Sequence, residues 1–120
     1  MSEGKTITEK EIVEIIKNCA RALAGKKGID IVMMDLRDVN SYLDYFLIAT
    51  GNSRIHCRSM AREAEKFIHE QGLRSRNRPD YDSGWIILDF NELIVHIFTQ
   101  EMREYYQLEK LWGDAKKIPF

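Results

Sequence analysis

The chain of 120 residues has two prolines, two cysteines and no excess of either charge, with a formal net charge of −1. Each shortage excludes something. Near neutrality removes the global positive field that holds most nucleic-acid binders on phosphate. Cys19 and Cys57 are far apart and form no CxxC spacing, so neither a disulfide framework nor a zinc site is expected, and both read as small apolar residues of a reducing compartment. No apolar run approaches the ~20 residues that span a bilayer, so no membrane partner is expected. The opening MSEGKTITEKE is acidic and has no apolar core, unlike a signal peptide or a mitochondrial presequence. A cytoplasmic protein is the expectation. There is no GxSxG, no HExxH and no GxxxxGK[ST]. No catalytic residue, metal site or cofactor is therefore assigned.

What is present fits one globular domain: 44% hydrophobic and 31% charged residues, enough to close a core over most of the chain. The domain is taken as residues 1–120, with an ordered core over about 8–113 and flexible termini at 1–6 and 114–120. Thr8-Glu9-Lys10-Glu11 is a capping box, and Ile7 with Ile12 forms a hydrophobic staple around it. Ile12, Ile15, Ile16, Cys19, Ala20 and Leu23 follow at helical spacing, and Gly25 and Gly28 stop that helix. Residues 30–36 and 45–50 read as strands. Gly51-Asn52-Ser53 turns the chain into a second helix, with Cys57, Met60, Ala61, Ala64, Phe67 and Ile68 as its apolar stripe and Gly72 as its end. Residues 73–77 read as a short edge strand and 78–83 as a loop. A hairpin over 84–98 follows, then a helical end capped by Thr99. The order α-β-β-α-β-β-β-α predicts an α/β fold, one mixed sheet of about five strands with flanking helices.

The hairpin GWIILDFNELIVHIF carries most of the functional signal. A turn at Asn91-Glu92 sets Phe90 opposite Leu93, Ile87 opposite His96 and Trp85 opposite Phe98. Alternation then separates two faces. Ile86, Leu88, Phe90, Leu93, Val95 and Ile97 make a wholly apolar one. Trp85, Ile87, Asp89, Ile94, His96 and Phe98 make a mixed one, on which an unpartnered aspartate would be costly if buried. Asp89 and His96 are diagonal neighbours, so they read either as an acid–base couple or, more simply, as polar groups of an interface.

Three further features have both a functional and a plain reading. Gly51-Asn52-Ser53 before a helix could hold a phosphate, or merely cap the helix. Arg54, Arg58, Arg62 and Lys66, followed by Arg74, Arg76 and Arg78, form a local basic stripe, either near ribosomal RNA or on a solvated helix face. The run REYYQLEKLW, 103–112, places Leu108, Leu111 and Trp112 on one helical face, suited equally to covering the core and to an interface.

Asp44-Tyr45-Phe46-Leu47-Ile48-Ala49-Thr50-Gly51-Asn52-Ser53 with His56 resembles one signature of the Iojap-like ribosomal silencing factor family. Trp85-Ile86-Ile87-Leu88-Asp89-Phe90, then Val95-His96-Ile97-Phe98, Arg103-Glu104-Tyr105-Tyr106 and Leu108-Glu109-Lys110-Leu111-Trp112 resemble another. The likeness runs in order over roughly 10–113. The chain departs from the family pattern in the loop 78–83, which lacks a Glu-Gly pair, and at Asn91-Glu92, where Gly-Asp is common.

The resemblance implies a nucleotidyltransferase-like topology without that fold's paired metal-binding carboxylates. It also implies a non-enzymatic function. Such a factor binds large-subunit ribosomal protein fourteen on the large subunit and sterically blocks joining of the small subunit, which represses translation. Carried over by motif, the contact surface comprises Trp85, Ile87, Asp89 and His96, with Arg103, Tyr105 and Glu109 beside them. Ribosomal RNA and a second copy of the chain are further expected partners. The competing expectation is a nucleotidyltransferase-like enzyme that binds a nucleotide at Gly51-Asn52-Ser53 and uses Asp89 and His96.

Overall fold

A computed structural model describes residues 7–120; the expected flexible segment 1–6 lies outside them. Helix α1 spans Glu9–Gly25 and starts as its sequence dictates. Thr8 Oγ1 accepts from the Glu11 amide at 3.1 Å and the Glu11 carboxylate accepts from the Thr8 amide at 3.0 Å. Both bonds satisfy donors that have no partner inside the helix. Strands β1 (Ile29–Asp35) and β2 (Tyr45–Gly51) form an antiparallel pair, and α2 (Arg54–Glu70) follows. The hairpin is β3 (Trp85–Asp89) and β4 (Leu93–Thr99). Two short helices, α3 (Gln100–Tyr106) and α4 (Leu108–Leu111), lead to β5 (Lys116–Ile118).

The five strands lie in the order β3-β4-β2-β1-β5. Among the described residues only β2 and β4 run parallel, with Tyr45 beside Leu93 and Gly51 beside Thr99. The hairpin register is the expected one, including Trp85 opposite Phe98 and Ile87 opposite His96. Its turn needs a left-handed residue, and Asn91 supplies it at φ 76°; asparagine tolerates that region better than most side chains.

The apolar hairpin face packs where expected. Ile86, Leu88, Phe90, Leu93, Val95 and Ile97 are buried beneath α1 and α2 with Leu47, Met60, Ile16 and Leu23. Burying each such side chain contributes about 1.5–3 kcal/mol.

Two expectations about the edges need correction. Residues 73–77 are not a strand. The Asn77 side chain takes the place one would have: its Nδ2 donates to Ile87 O at 2.8 Å and its Oδ1 accepts from the Asp89 amide at 3.0 Å, while the Arg76 amide donates to Asp89 O at 2.6 Å. A carboxamide thus imitates a neighbouring peptide group and satisfies the sheet margin locally. The fifth strand is instead Lys116–Ile118, paired with β1 inside the 114–120 segment expected to be flexible.

The second sheet face is a further departure. Met34, Leu36, Phe46, Ile48 and Phe98 form a separate buried cluster there, and Met102, Leu108, Trp112 and Ala115 pack on it. Every residue of β2 is therefore buried. The mixed hairpin face is not wholly free: α3 and α4 cover its inner part.

Candidate functional site

Exposure on the mixed face rises from the sheet centre toward β3. Phe98 is fully buried and His96 is 5% exposed, whereas Trp85, Ile87, Asp89 and Ile94 are half-buried. Trp85 stands at the boundary. Its indole stacks on Phe98 with centroids 5.0 Å apart and meets Tyr106 of α3 at 4.6 Å. Gly84 allows α3 to approach, because a Cβ at that position would lie 2.9 Å from Met102 Cγ. Tyr105 packs edge-on against Tyr106 and is 77% exposed. Ile87, Trp85, Tyr106 and Tyr105 thus make an aromatic and aliphatic strip along the outer hairpin, with the Asp89 carboxylate beside it. Aromatic anchors that keep part of their area in water while their rings are fixed by neighbours are characteristic of protein interfaces.

His96, expected as a contact residue, is buried in the chain by itself. Its Nδ1 accepts a hydrogen bond from Trp85 Nε1 at 3.0 Å. Phe46 packs edge-on to the imidazole at 4.4 Å, and Nε2 has no hydrogen-bond partner among the described residues. Burial pushes its pKa down to about 3, since a charged imidazolium would lose its hydration without an anion to replace it.

Arg103 and Glu109 also turn inward. Arg103 Nε donates to Glu109 Oε1 at 2.9 Å and its Nη1 donates to Thr50 Oγ1 at 2.8 Å. Thr50 is fully buried at the end of β2. The two partners of Arg103 thus tie α3 and α4 to the sheet. They meet because Gln107 breaks the helical run in a left-handed conformation, φ 44°. The expected single face of Leu108, Leu111 and Trp112 does not form: Leu111 is 72% exposed while the other two pack on the second core.

The enzyme reading finds its groups engaged elsewhere. Asp89 Oδ1 accepts from the Asn91 amide at 2.8 Å, and His96 Nδ1 is taken by Trp85, so neither is bonded to the other. Gly51-Asn52-Ser53 is a self-contained cap. Ser53 Oγ accepts from the His56 amide at 3.0 Å, the Asn52 amide donates to His56 Nδ1 at 2.9 Å, and His56 Nε2 lies 2.7 Å from Lys26 O. Because Nδ1 is the acceptor, Nε2 carries the proton and donates. Among the described residues no group of three or more His, Cys, Asp or Glu side chains is placed to hold a metal ion.

The basic stripe of α2 also has a local use. Arg58 pairs with Asp82, Arg54 Nη1 donates to Asp82 O at 3.4 Å, and Arg62 lies over the Tyr81 ring at 4.5 Å. The Tyr81 hydroxyl donates to Glu65, and burial together with that carboxylate pushes its pKa up to about 12. These contacts bind the loop before Trp85 to α2. Sequence reasoning left Tyr106 out of the strip; the doubled tyrosine was the signal for it.

A family model described as "Ribosomal silencing factor during starvation", RsfS, matches residues 9–120. The chain is 37% identical over 102 residues to the ribosomal silencing factor RsfS of Bacillus subtilis, covering 84% of this chain and 86% of that one. It is 33% identical over 106 residues to the RsfS of Halalkalibacterium halodurans, covering 88% and 91%. A crystal structure of a Chromobacterium violaceum protein superposes with a TM-score of 0.81 at 31% identity, covering 92% of each chain. With the fold and nearly the whole chain matched, this protein belongs to the RsfS family of ribosomal silencing factors, which are not enzymes.

Proposed function

We propose that the protein binds the large ribosomal subunit through large-subunit ribosomal protein fourteen, in the cytoplasm, and keeps the small subunit from joining by occupying its docking ground. The observation that carries this reading is the half-exposed Trp85, held among Phe98, His96 and Tyr106 on the outer hairpin. Trp85, Ile87, Asp89 and Tyr105 are the contact residues. Tyr106 extends the strip, and His96, Arg103 and Glu109 support it from behind. Asp89 offers a carboxylate to the Lys and Arg side chains that ribosomal proteins present. Steric exclusion needs affinity and bulk but no bond making, which agrees with a site whose acid and imidazole are not bonded to each other. Ribosomal RNA is assigned no contact residue, because Arg54, Arg58 and Arg62 hold the loop over 80–82. A second copy of the chain seated on the same strip would compete with the ribosome.

Sedimentation with isolated large subunits tests the proposal. The protein is expected to co-sediment with them and to reduce formation of joined ribosomes when small subunits are added. Trp85→Ala should weaken binding by about 2 kcal/mol or more, roughly thirtyfold, as for a central aromatic anchor. Binding that is unchanged in this variant, with the fold intact, would remove the strip as the contact surface.

A further inference from the structure

We infer that His96 is a positioning residue for ribosome docking: its Nδ1 acceptor holds the Trp85 indole in the one orientation that presents its free edge to the partner. The inference rests on the docking reading above and adds a residue that acts through Trp85 without touching the partner.

The argument begins with the hydrogen-bond chemistry. An indole N–H only donates, so the 3.0 Å contact between Trp85 Nε1 and His96 Nδ1 requires an unprotonated Nδ1. A neutral imidazole then carries its proton on Nε2. That atom is buried and has no hydrogen-bond partner among the described residues. A leucine at position 96 would fill much of the same space and remove the unmet Nε2, at the cost of the acceptor that His96 gives the indole. The histidine therefore gives up stability, and what it provides in return is the acceptor for Trp85.

That acceptor has a physical use. A tryptophan on a sheet margin has several staggered rotamers available. Stacking on Phe98 and the tilted contact with Tyr106 limit how far the ring can lean, but such a ring can still slide or flip end for end. One directional N–H···N bond removes the flip. A ring fixed before binding loses less freedom on binding, which favours affinity. The base of the arrangement is itself rigid: Phe46 of β2 packs edge-on to the imidazole at 4.4 Å, and Ile87 lies opposite His96 in the ladder.

The experiment compares His96→Leu and His96→Asn in the full chain. Asparagine Oδ1 is attached one bond beyond Cγ, as Nδ1 is in histidine, so it can accept from the indole; leucine cannot. Nitrogen-15 NMR of the wild-type protein should show an unprotonated Nδ1 and a protonated Nε2. The Trp85 indole N–H should exchange slowly with water there and in His96→Asn, and quickly in His96→Leu. Affinity for isolated large subunits is expected to fall roughly tenfold in His96→Leu, as for loss of one well-formed hydrogen bond. In His96→Asn it should remain within about threefold of wild type. Denaturant midpoints should run the other way, with leucine at or above wild type and asparagine below.

Binding that follows the stability order, or His96→Leu binding as wild type while Trp85→Ala does not, would overturn the positioning role. If Trp85→Ala also binds as wild type, the docking strip itself is wrong, and the inference falls with it. In that case the NMR results would still report whether His96 holds the indole.

Discussion

Replacing Arg103 by alanine separates a structural staple from a contact residue. The guanidinium makes one charge-assisted bond to Glu109 at 2.9 Å and one to the buried hydroxyl of Thr50 at 2.8 Å. Its side chain is 12% exposed and that of Glu109 is 29% exposed. Hydrogen bonds to charged groups contribute about 1.5–3 kcal/mol each when well shielded, and the Glu109 bond must be discounted for its access to water. Truncation also leaves Thr50 Oγ1 without its donor. The expected total is about 2–3 kcal/mol. For a domain of this size that lowers the melting temperature by roughly 10 °C. Urea denaturation followed by circular dichroism reads the change as a fall in midpoint at constant slope. A double-mutant cycle with Glu109→Ala should return a coupling of about 1 kcal/mol. If Arg103→Ala changes stability by less than about 0.5 kcal/mol and the two substitutions are additive, Arg103 is not a staple, and its placement toward the sheet would be refuted.

Two other perturbations have clear signs. His96 has its folded pKa depressed to about 3, from an ordinary value near 6.5. Above 6.5 neither state takes the proton and the full stability is present. Between 6.5 and about 3 only the unfolded chain protonates, so stability should fall by up to ~1.4 kcal/mol per pH unit. His96→Leu should flatten that slope between pH 6 and 4.5, and an unchanged slope would show that other groups set the acid limit. Asn77→Ala removes both side-chain bonds to β3. It should cost about 1–2 kcal/mol and speed hydrogen exchange at the Asp89 amide; continued protection there would mean that Arg76 alone seals the margin.

The hairpin was readable because alternation and turn length decide register together, so Trp85, Ile87 and His96 fall where a period of two puts them. Helix starts were readable for the same local reason: Thr8, Ser53 and Thr99 all cap as their positions suggest. Burial of the mixed face was signalled less directly. The unbroken apolar run Tyr45 to Ala49 belongs to a strand covered on both sides, and Phe46 and Ile48 needed a covering layer. Arg103 and Glu109 are six apart, a spacing that no regular helix brings together, and only the left-handed Gln107 does so. Lys116–Ile118 offers a single apolar residue, so its pairing depends on the exposed flank of β1. Residues 73–77 misled because an alternating polar segment beside a margin reads as a strand, yet one asparagine side chain supplied the pairing.

The parallel seam between β2 and β4 governs when the protein becomes competent. Each of its neighbours, the β1–β2 pair and the β3–β4 hairpin, can form from nearby sequence. Joining them at Tyr45 and Leu93 means closing a long loop first, which places folding among the slower single domains, nearer milliseconds than microseconds. The setting of Trp85 draws on both halves, since Phe46 lies behind the imidazole and Tyr106 beside the indole. On the proposed docking reading a newly made molecule therefore has no grip to offer until its two halves have zipped together, and the delay in silencing after synthesis is at least the time of that closure.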